Sequence, residues 1–240
     1  VGVPHSAFAI SPDDKNVTLS DNVSKDSKDK IAKFFEEKKY DSAKSKFITP
    51  YKTDGKVYFE LPLKYLGRDM LLGATISAVS DPTYLSVGMK NSKPIHLRFE
   101  RQDSSIVAKT PNTVVYDHDL DARERKVLEL NYRDPAFASF EIKAYNADST
   151  AVLIDVTSFM GPGNSRVHVI PPKSGNFTLK GSRDNGLTFV KQLKAFDNNV
   201  SIKVEENYKL SASIMNIFFL QRDAPTTVDV TYSLLLLPEE

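Results

Sequence analysis

The sequence predicts a mostly β fold of the α+β class: antiparallel sheets, sandwich-like or strongly curved, with two or three short helices. Three observations carry that expectation. Apolar residues recur at every second position in stretch after stretch, as in 57–61, 95–99, 200–204 and 228–236. Turn-forming clusters such as Asp54-Gly55, Gln102-Asp103-Ser104 and Asn146-Ala147-Asp148 separate those stretches. Only a few segments carry apolar residues at helical spacing.

Residues 1–42 form a polar segment with one short helix. Within KDKIAKFFEEKK, residues Ile31, Phe34 and Phe35 fall on one side of a helix at about 28–39, with Ser27 in position to cap it. Residues 43–240 read as a β-rich domain, with sub-boundaries near 80 or 120 as candidates and no linker marking either. A short strand at 45–49 leads to the Asp54-Gly55 hairpin turn. Residues 57–76 are the most structured stretch. Val57, Phe59 and Leu61 alternate with Tyr58 and Glu60, and Pro62 ends the strand because it cannot donate to a ladder. One helical turn fits 63–66, Gly67 can close it in a left-handed conformation, and 70–76 resume as strand.

Residues 84–89 alternate again. In 95–101 Leu97 and Phe99 point inward, with His96, Arg98 and Glu100 outward. Strands at 105–109 and 112–116 follow. Residues 121–131 suit either a helix or extended chain. Residues 137–145 and 151–160 make a hairpin, and 167–170 a short strand. Residues 186–196 read as a helix: Leu187, Val190 and Leu193 form a stripe, Phe189 and Phe196 widen it, and Asp184 can cap it. Residues 200–210 are a strand whose inward set Val200, Ile202, Val204, Tyr208 and Leu210 is broken only by Glu206. Residues 214–220 carry no charge, which suits a central strand or a contact surface. A final strand fills 228–236.

Composition limits the function classes. With 32 basic and 31 acidic residues the chain has no basic excess, so no nucleic-acid partner is expected. The absence of cysteine excludes thiol catalysis, zinc–thiolate sites and disulfides. No run approaches the roughly 18 apolar residues of a membrane-spanning helix, and VGVPHSAFAI lacks the features of a signal peptide.

Catalytic motifs are equally scarce. Asp117-His118-Asp119-Leu120-Asp121 has alternating oxygen ligands but neither the glycine nor the distal glutamate of a calcium loop, and reads as a solvated turn. His5, His96, His118 and His168 form no HExxH and no i, i+4 pair. GxSxG, GxGxxG and P-loop patterns are missing. Arg68-Asp69 reads as an ion pair or cap that fixes the adjacent glycine turn, with a functional pair as the alternative. Asn-x-Ser/Thr triplets begin at Asn16, Asn22, Asn176 and Asn199 and matter only in a eukaryotic secretory context. No catalytic, cofactor-binding or metal-ligating residue is predicted.

FITPYKTDGKVYFELPLKYLGRDMLL resembles the N-terminal segment of large secreted zinc-dependent metalloproteases of Bacteroides-type bacteria. IHLRFER, FASFEIKAYNADSTAVLIDVTSFM and VDVTYSLLLLPEE look like further motifs of that family, in the same order, so the resemblance covers about residues 43–237. In the family these regions are domains of unknown function that precede a metzincin-like catalytic domain carrying HExxHxxGxxH. That signature is absent here, so no catalytic residue carries over. The resemblance implies a non-catalytic chain without a cofactor of its own, with zinc in a downstream protease domain. That domain is the expected partner, with a polypeptide substrate beside it, in a bacterial extracytoplasmic location (periplasmic, cell-surface or secreted). Ile214, Ile217, Phe218, Phe219 and Leu220 are the candidate interface, because an uncharged run near the junction is costly to leave in water. The alternative is a free-standing peptide- or glycan-binding module using Tyr51, Tyr58, Tyr65 and Tyr84 as an aromatic platform.

Overall fold

The computed structural model describes residues 29–112 and 121–239, apart from 163, 165, 168 and 172–174. Its strands are β1 (Asp41–Ser42), β2 (Thr49–Thr53), β3 (Lys56–Pro62), β4 (Met70–Val79), β5 (Ile95–Gln102), β6 (Ser105–Lys109), β7 (Ala136–Tyr145), β8 (Ala151–Asp155), β9 (Phe177–Ala195), β10 (Asn199–Ile214) and β11 (Phe218–Leu236). Three short helices lie among the described residues: α1 (Lys30–Phe35), α2 (Ala122–Asn131) and α3 (Thr157–Met160).

All eleven strands belong to one sheet in the order β1-β2-β3-β8-β7-β6-β5-β4-β11-β10-β9, and every neighbouring pair is antiparallel. β9, at one end of that order, comes back beside β2, near the other. The sheet therefore curls nearly shut around a single core. Of the two arrangements expected for the β layers, the curved one is present.

The inward faces supply that core. Phe47, Phe59, Phe99, Phe159 and Tyr232 are fully buried in it, with the aliphatic residues of β4, β8, β10 and β11. Phe159 meets Phe99 and Phe140 edge-on, at ring separations of 6.2 and 5.2 Å. A second, smaller cluster lies outside the sheet. There α1 lays Ile31 and Phe35 on Tyr51, Tyr58 and Leu153, and Phe35 stacks on Tyr51 at 4.6 Å.

Several local expectations hold. Asp54 and Gly55 have positive φ (49° and 73°), as a two-residue hairpin turn between β2 and β3 requires. A 3-10 turn at Leu63–Tyr65 follows Pro62, and Gly67 closes it at φ 75°. Leu97 and Phe99 are buried on β5. Residues 121–131 resolve as helix α2, because Asp121 and Glu124 form a reciprocal capping box.

Others are corrected. Residues 186–196 are not a helix: 186–195 form the second half of β9, and Phe196 follows it. Thr188 and Val190 point inward while Leu187 and Phe189, each 53% exposed, point outward. The long ladder with β10 selects the period of two over the three-residue stripe. Asp184 caps no helix; its carboxylate accepts from the Gly186 N–H inside an irregularity in that ladder. Residues 84–89 form turns, not a strand, and fold back on β4 through Gly88 N–H to Ile76 O and Ile76 N–H to Met89 O. Residues 157–160 turn into α3, since the Asp155 carboxylate captures the N–H and hydroxyl of Thr157. The strand expected at 45–49 begins only at Thr49, and the described part of 167–170 is bent chain, not strand. Helix α1 is shorter than expected, and Asp29 caps it by accepting from the N–H groups of Ile31 and Ala32. Ser27 lies outside the described residues, as do residues 113–116 of the expected strand at 112–116.

Candidate functional site

Two surfaces stand out, at opposite ends of β11. The first surrounds the Leu66-Gly67-Arg68-Asp69 turn. Gly67 N–H donates to Phe99 O (2.8 Å), which holds the turn against β5. Leu71 pairs with His96 across β4 and β5, so the outward side chains of β5 stand beside the turn. Arg98 grips both oxygens of Asp69 (2.8 and 2.9 Å), and His96 Nε2 lies 2.6 Å from Asp69 Oδ1. The hydrogen bonds from Arg98, and then those from His96, hold the Asp69 carboxyl below its ordinary value despite partial burial.

Arg68 and Asp69 are adjacent in sequence but do not pair with each other, which corrects the ion-pair form of that expectation. Asp69 turns to β5. Arg68 instead reaches the residues that follow β11, with Nη2 donating to Leu237 O (3.1 Å) and Nη1 at 2.5 Å from the Glu239 carboxylate. Leu237 N–H in turn donates to Asp69 O (2.9 Å). The residues leaving β11 are thus clamped to the Gly-Arg-Asp turn. Between turn, β5 and residues 237–239 lies an open cleft of about 500 Å³.

The second surface is the tip of the β10–β11 hairpin. Met215 and Asn216 both have positive φ (54° and 60°), and Ile217 N–H donates to Ile214 O, as in a type I′ turn. β4 pairs with β11 only as far as Val228, so the hairpin runs on beyond it with β9 alone at its side. All five predicted interface residues, Ile214, Ile217, Phe218, Phe219 and Leu220, come together at this tip and are exposed; Ile217 and Phe218 reach 67% and 65%. The stretch is therefore not a central strand. It is also not close to residues 237–239 in space. β11, 19 residues long, lies between them, a path on the order of 60 Å along the strand at about 3.3 Å per residue.

The aromatic platform is absent. Tyr51 and Tyr58 are 8% and 6% exposed beneath α1. Tyr65 packs edge-on against Phe47, and Tyr84 lies against Phe177. Among the described residues, no group of three or more His, Asp or Glu is placed to hold a metal ion. His5, His118, His168, Asn16, Asn22 and most of the Asp117–Asp121 cluster lie outside the described residues, whereas Asp121 is the α2 cap.

The model of a family described as a domain of unknown function (DUF5117) matches residues 88–240. The chain belongs to that family. A second such model (DUF5118) matches residues 33–79 of this DUF5117 protein. The two matched regions share one sheet, since β4, within residues 33–79, pairs with β5 and β11, within residues 88–240. No curated protein and no solved structure matches the chain. No helix of the described residues is long and apolar enough to cross a membrane.

His96 and Arg98 were legible as outward residues of a strand; their convergence on Asp69 was not, because 27 and 29 positions separate them. The signal available was a pair of basic residues at i, i+2 on one exposed strand face.

Proposed function

We propose that the chain is the non-catalytic, N-terminal β-rich region of an extracytoplasmic bacterial zinc metalloprotease, and that it docks the catalytic domain that follows it. The support for the family is the ordered series of motifs over residues 43–237. The observation that carries the docking role is the clamp. A chain tied down at Leu237 by Asp69 and Arg68 leaves in a fixed direction, beside a charged cleft. A tether of that kind restricts how the next domain can sit and lowers the entropy lost on docking. Zinc and the polypeptide substrate would belong to the downstream domain. The alternative, a free-standing peptide- or glycan-binding module, loses its support with the burial of Tyr51 and Tyr58.

The polypeptide beyond Glu240 is expected to carry HExxHxxGxxH; a continuation without it removes the family reading. In the full-length protein, Arg68→Ala is expected to open the segment after β11 to added protease and to lower the yield of secreted, active enzyme. A variant that matches the wild type in junction resistance, secretion and proteolysis would refute the docking role.

A further inference from the structure

We propose that the tip of the β10–β11 hairpin inserts shallowly into the surface of an anionic lipid bilayer. From Ser211 to Gln221 the chain carries no charge. Ile217, Phe218, Phe219 and Leu220 are consecutive and all exposed. Successive strand residues point to opposite faces, so the run 217–220 puts apolar side chains on both sides of the ribbon, next to a turn made of Met215 and Asn216. A flat protein surface would cover one side and leave the other in water. A finger with exposed apolar side chains on both faces suits a medium that surrounds it.

The turn adds an independent observation. A type I′ turn favours Asn, Asp or Gly at its first central position, because φ is positive there. This one holds Met215, which is 55% exposed and has no side-chain oxygen to ease the conformation. The polar residue of the turn, Asn216, stands at the second central position, so only the first departs from the usual choice.

Charge and hydrogen bonding set the partner and the depth. Lys180, Lys209 and Arg222 are exposed at the base of the tip, with Asp223 the carboxylate among them, itself bonded to Ser211. Arg222 sits 3.8 Å over the Phe219 ring. Such a collar matches anionic headgroups above an apolar layer. Ile214 pairs with Phe218 on one side and Phe177 on the other, so that part of the backbone is satisfied. The outer edge of β11 beyond Val228 faces no strand among the described residues. It must stay among headgroups and water, which limits insertion to about 5–10 Å.

The chain contains no tryptophan, so Phe218→Trp gives a single indole reporter at the tip, and Phe196→Trp gives a control at an exposed site elsewhere. On adding phosphatidylcholine vesicles that contain phosphatidylserine, the indole emission of the Phe218→Trp variant is expected to shift to the blue and to be quenched by lipids brominated near the headgroup. The control is expected not to move. The wild-type chain is expected to float with these vesicles, less so at high salt, and Ile217→Ser/Phe219→Ser to partition about tenfold or more weakly. Melting curves on the same samples verify that the variant folds; if it does not, the tryptophan series decides alone. Failure of the tip indole to shift on anionic vesicles overturns the proposal. So does a blue shift that follows protein concentration without lipid, which would indicate a second copy, or one seen only in the full-length protein without lipid, which would indicate a protein socket. The test does not depend on the clamp at residues 237–239, so it stands or falls separately from the docking role.

Discussion

Glu206 interrupts the apolar face of β10, yet it is 0% exposed. Its carboxylate accepts from the hydroxyls of Tyr208 (2.5 Å) and Tyr232 (2.6 Å) and lies 3.3 Å from Arg183 Nη1, which also donates to Asn164 O. Burial first, and then the adjacent Glu206 charge, pushes both phenols above their ordinary range, so they stay protonated and remain donors. Glu206→Ala leaves both hydroxyls without their acceptor and Arg183 without its countercharge. Its expected cost is about 3 kcal/mol, read from urea unfolding; a loss near zero would mean water replaces the carboxylate. Asp69 makes the residue-scale case for pH. Its folded value lies below the ordinary 3.8, so its contribution to stability is complete above that value and is lost as pH falls through the lower folded one. Asp69→Asn should therefore cost stability at neutral pH, and the gap between variant and wild type should close in strong acid. A gap independent of pH would show that the ion pairs contribute nothing.

At the scale of elements, the contest between periods decides β9. Leu187, Val190 and Leu193 satisfy a helix on paper, but only Val190 is in the core. The neighbouring β10 offers a ladder along most of its length, and its hydrogen bonds and cross-strand contacts outweigh a local helical preference. Short helices survive where a side chain caps them: Asp29 for α1, and Asp121 with Glu124 for α2. Asp29→Ala is expected to cost about 1 kcal/mol, with loss of amide protection at Ile31 and Ala32 as the readout. The close of α3 is tighter still. A Cβ on Gly161 would stand 2.9 Å from the Thr157 carbonyl oxygen and 3.1 Å from Val57 Cγ2. Gly161→Ala should therefore destabilise by about 1–3 kcal/mol in thermal or denaturant unfolding. The opposite sign is expected at the β10–β11 turn. Met215→Asn relieves an unfavourable φ and should raise stability by about 0.5 kcal/mol or more, while weakening any lipid partition of the tip.

At the scale of the whole molecule, β4 belongs to the region matched by one family model, and its partners β5 and β11 to the region matched by the other. The core runs without a break from Phe47 and Phe59 to Val230 and Leu234. Residues 33–79 expressed alone would leave Met70, Leu72 and Ile76 uncovered. That fragment is expected to lack a cooperative melting transition, whereas the full chain should unfold in one; two separate transitions would show independent units. The same architecture separates the two candidate surfaces. One strand, β11, carries the apolar tip at its start and enters the clamp at its end.

By itself the sequence determined the local geometry: which residues of β3, β5, β10 and β11 face inward, where Pro62 stops a strand, and where Asp54, Gly55 and Gly67 turn the chain. These follow from sterics and from burial of one face of a pleated strand, both written within a few neighbouring residues. Tertiary structure alone decided that residues 186–196 extend, that Asp69 chooses Arg98 and His96 over Arg68, that Glu206 is sheltered by two tyrosines, and that the uncharged run projects far from residues 237–239. Each depends on partners set by the pairing of separate strands, most of them tens of positions away. Their pairing energy outweighs local preference only once the sheet has curled and brought them within reach.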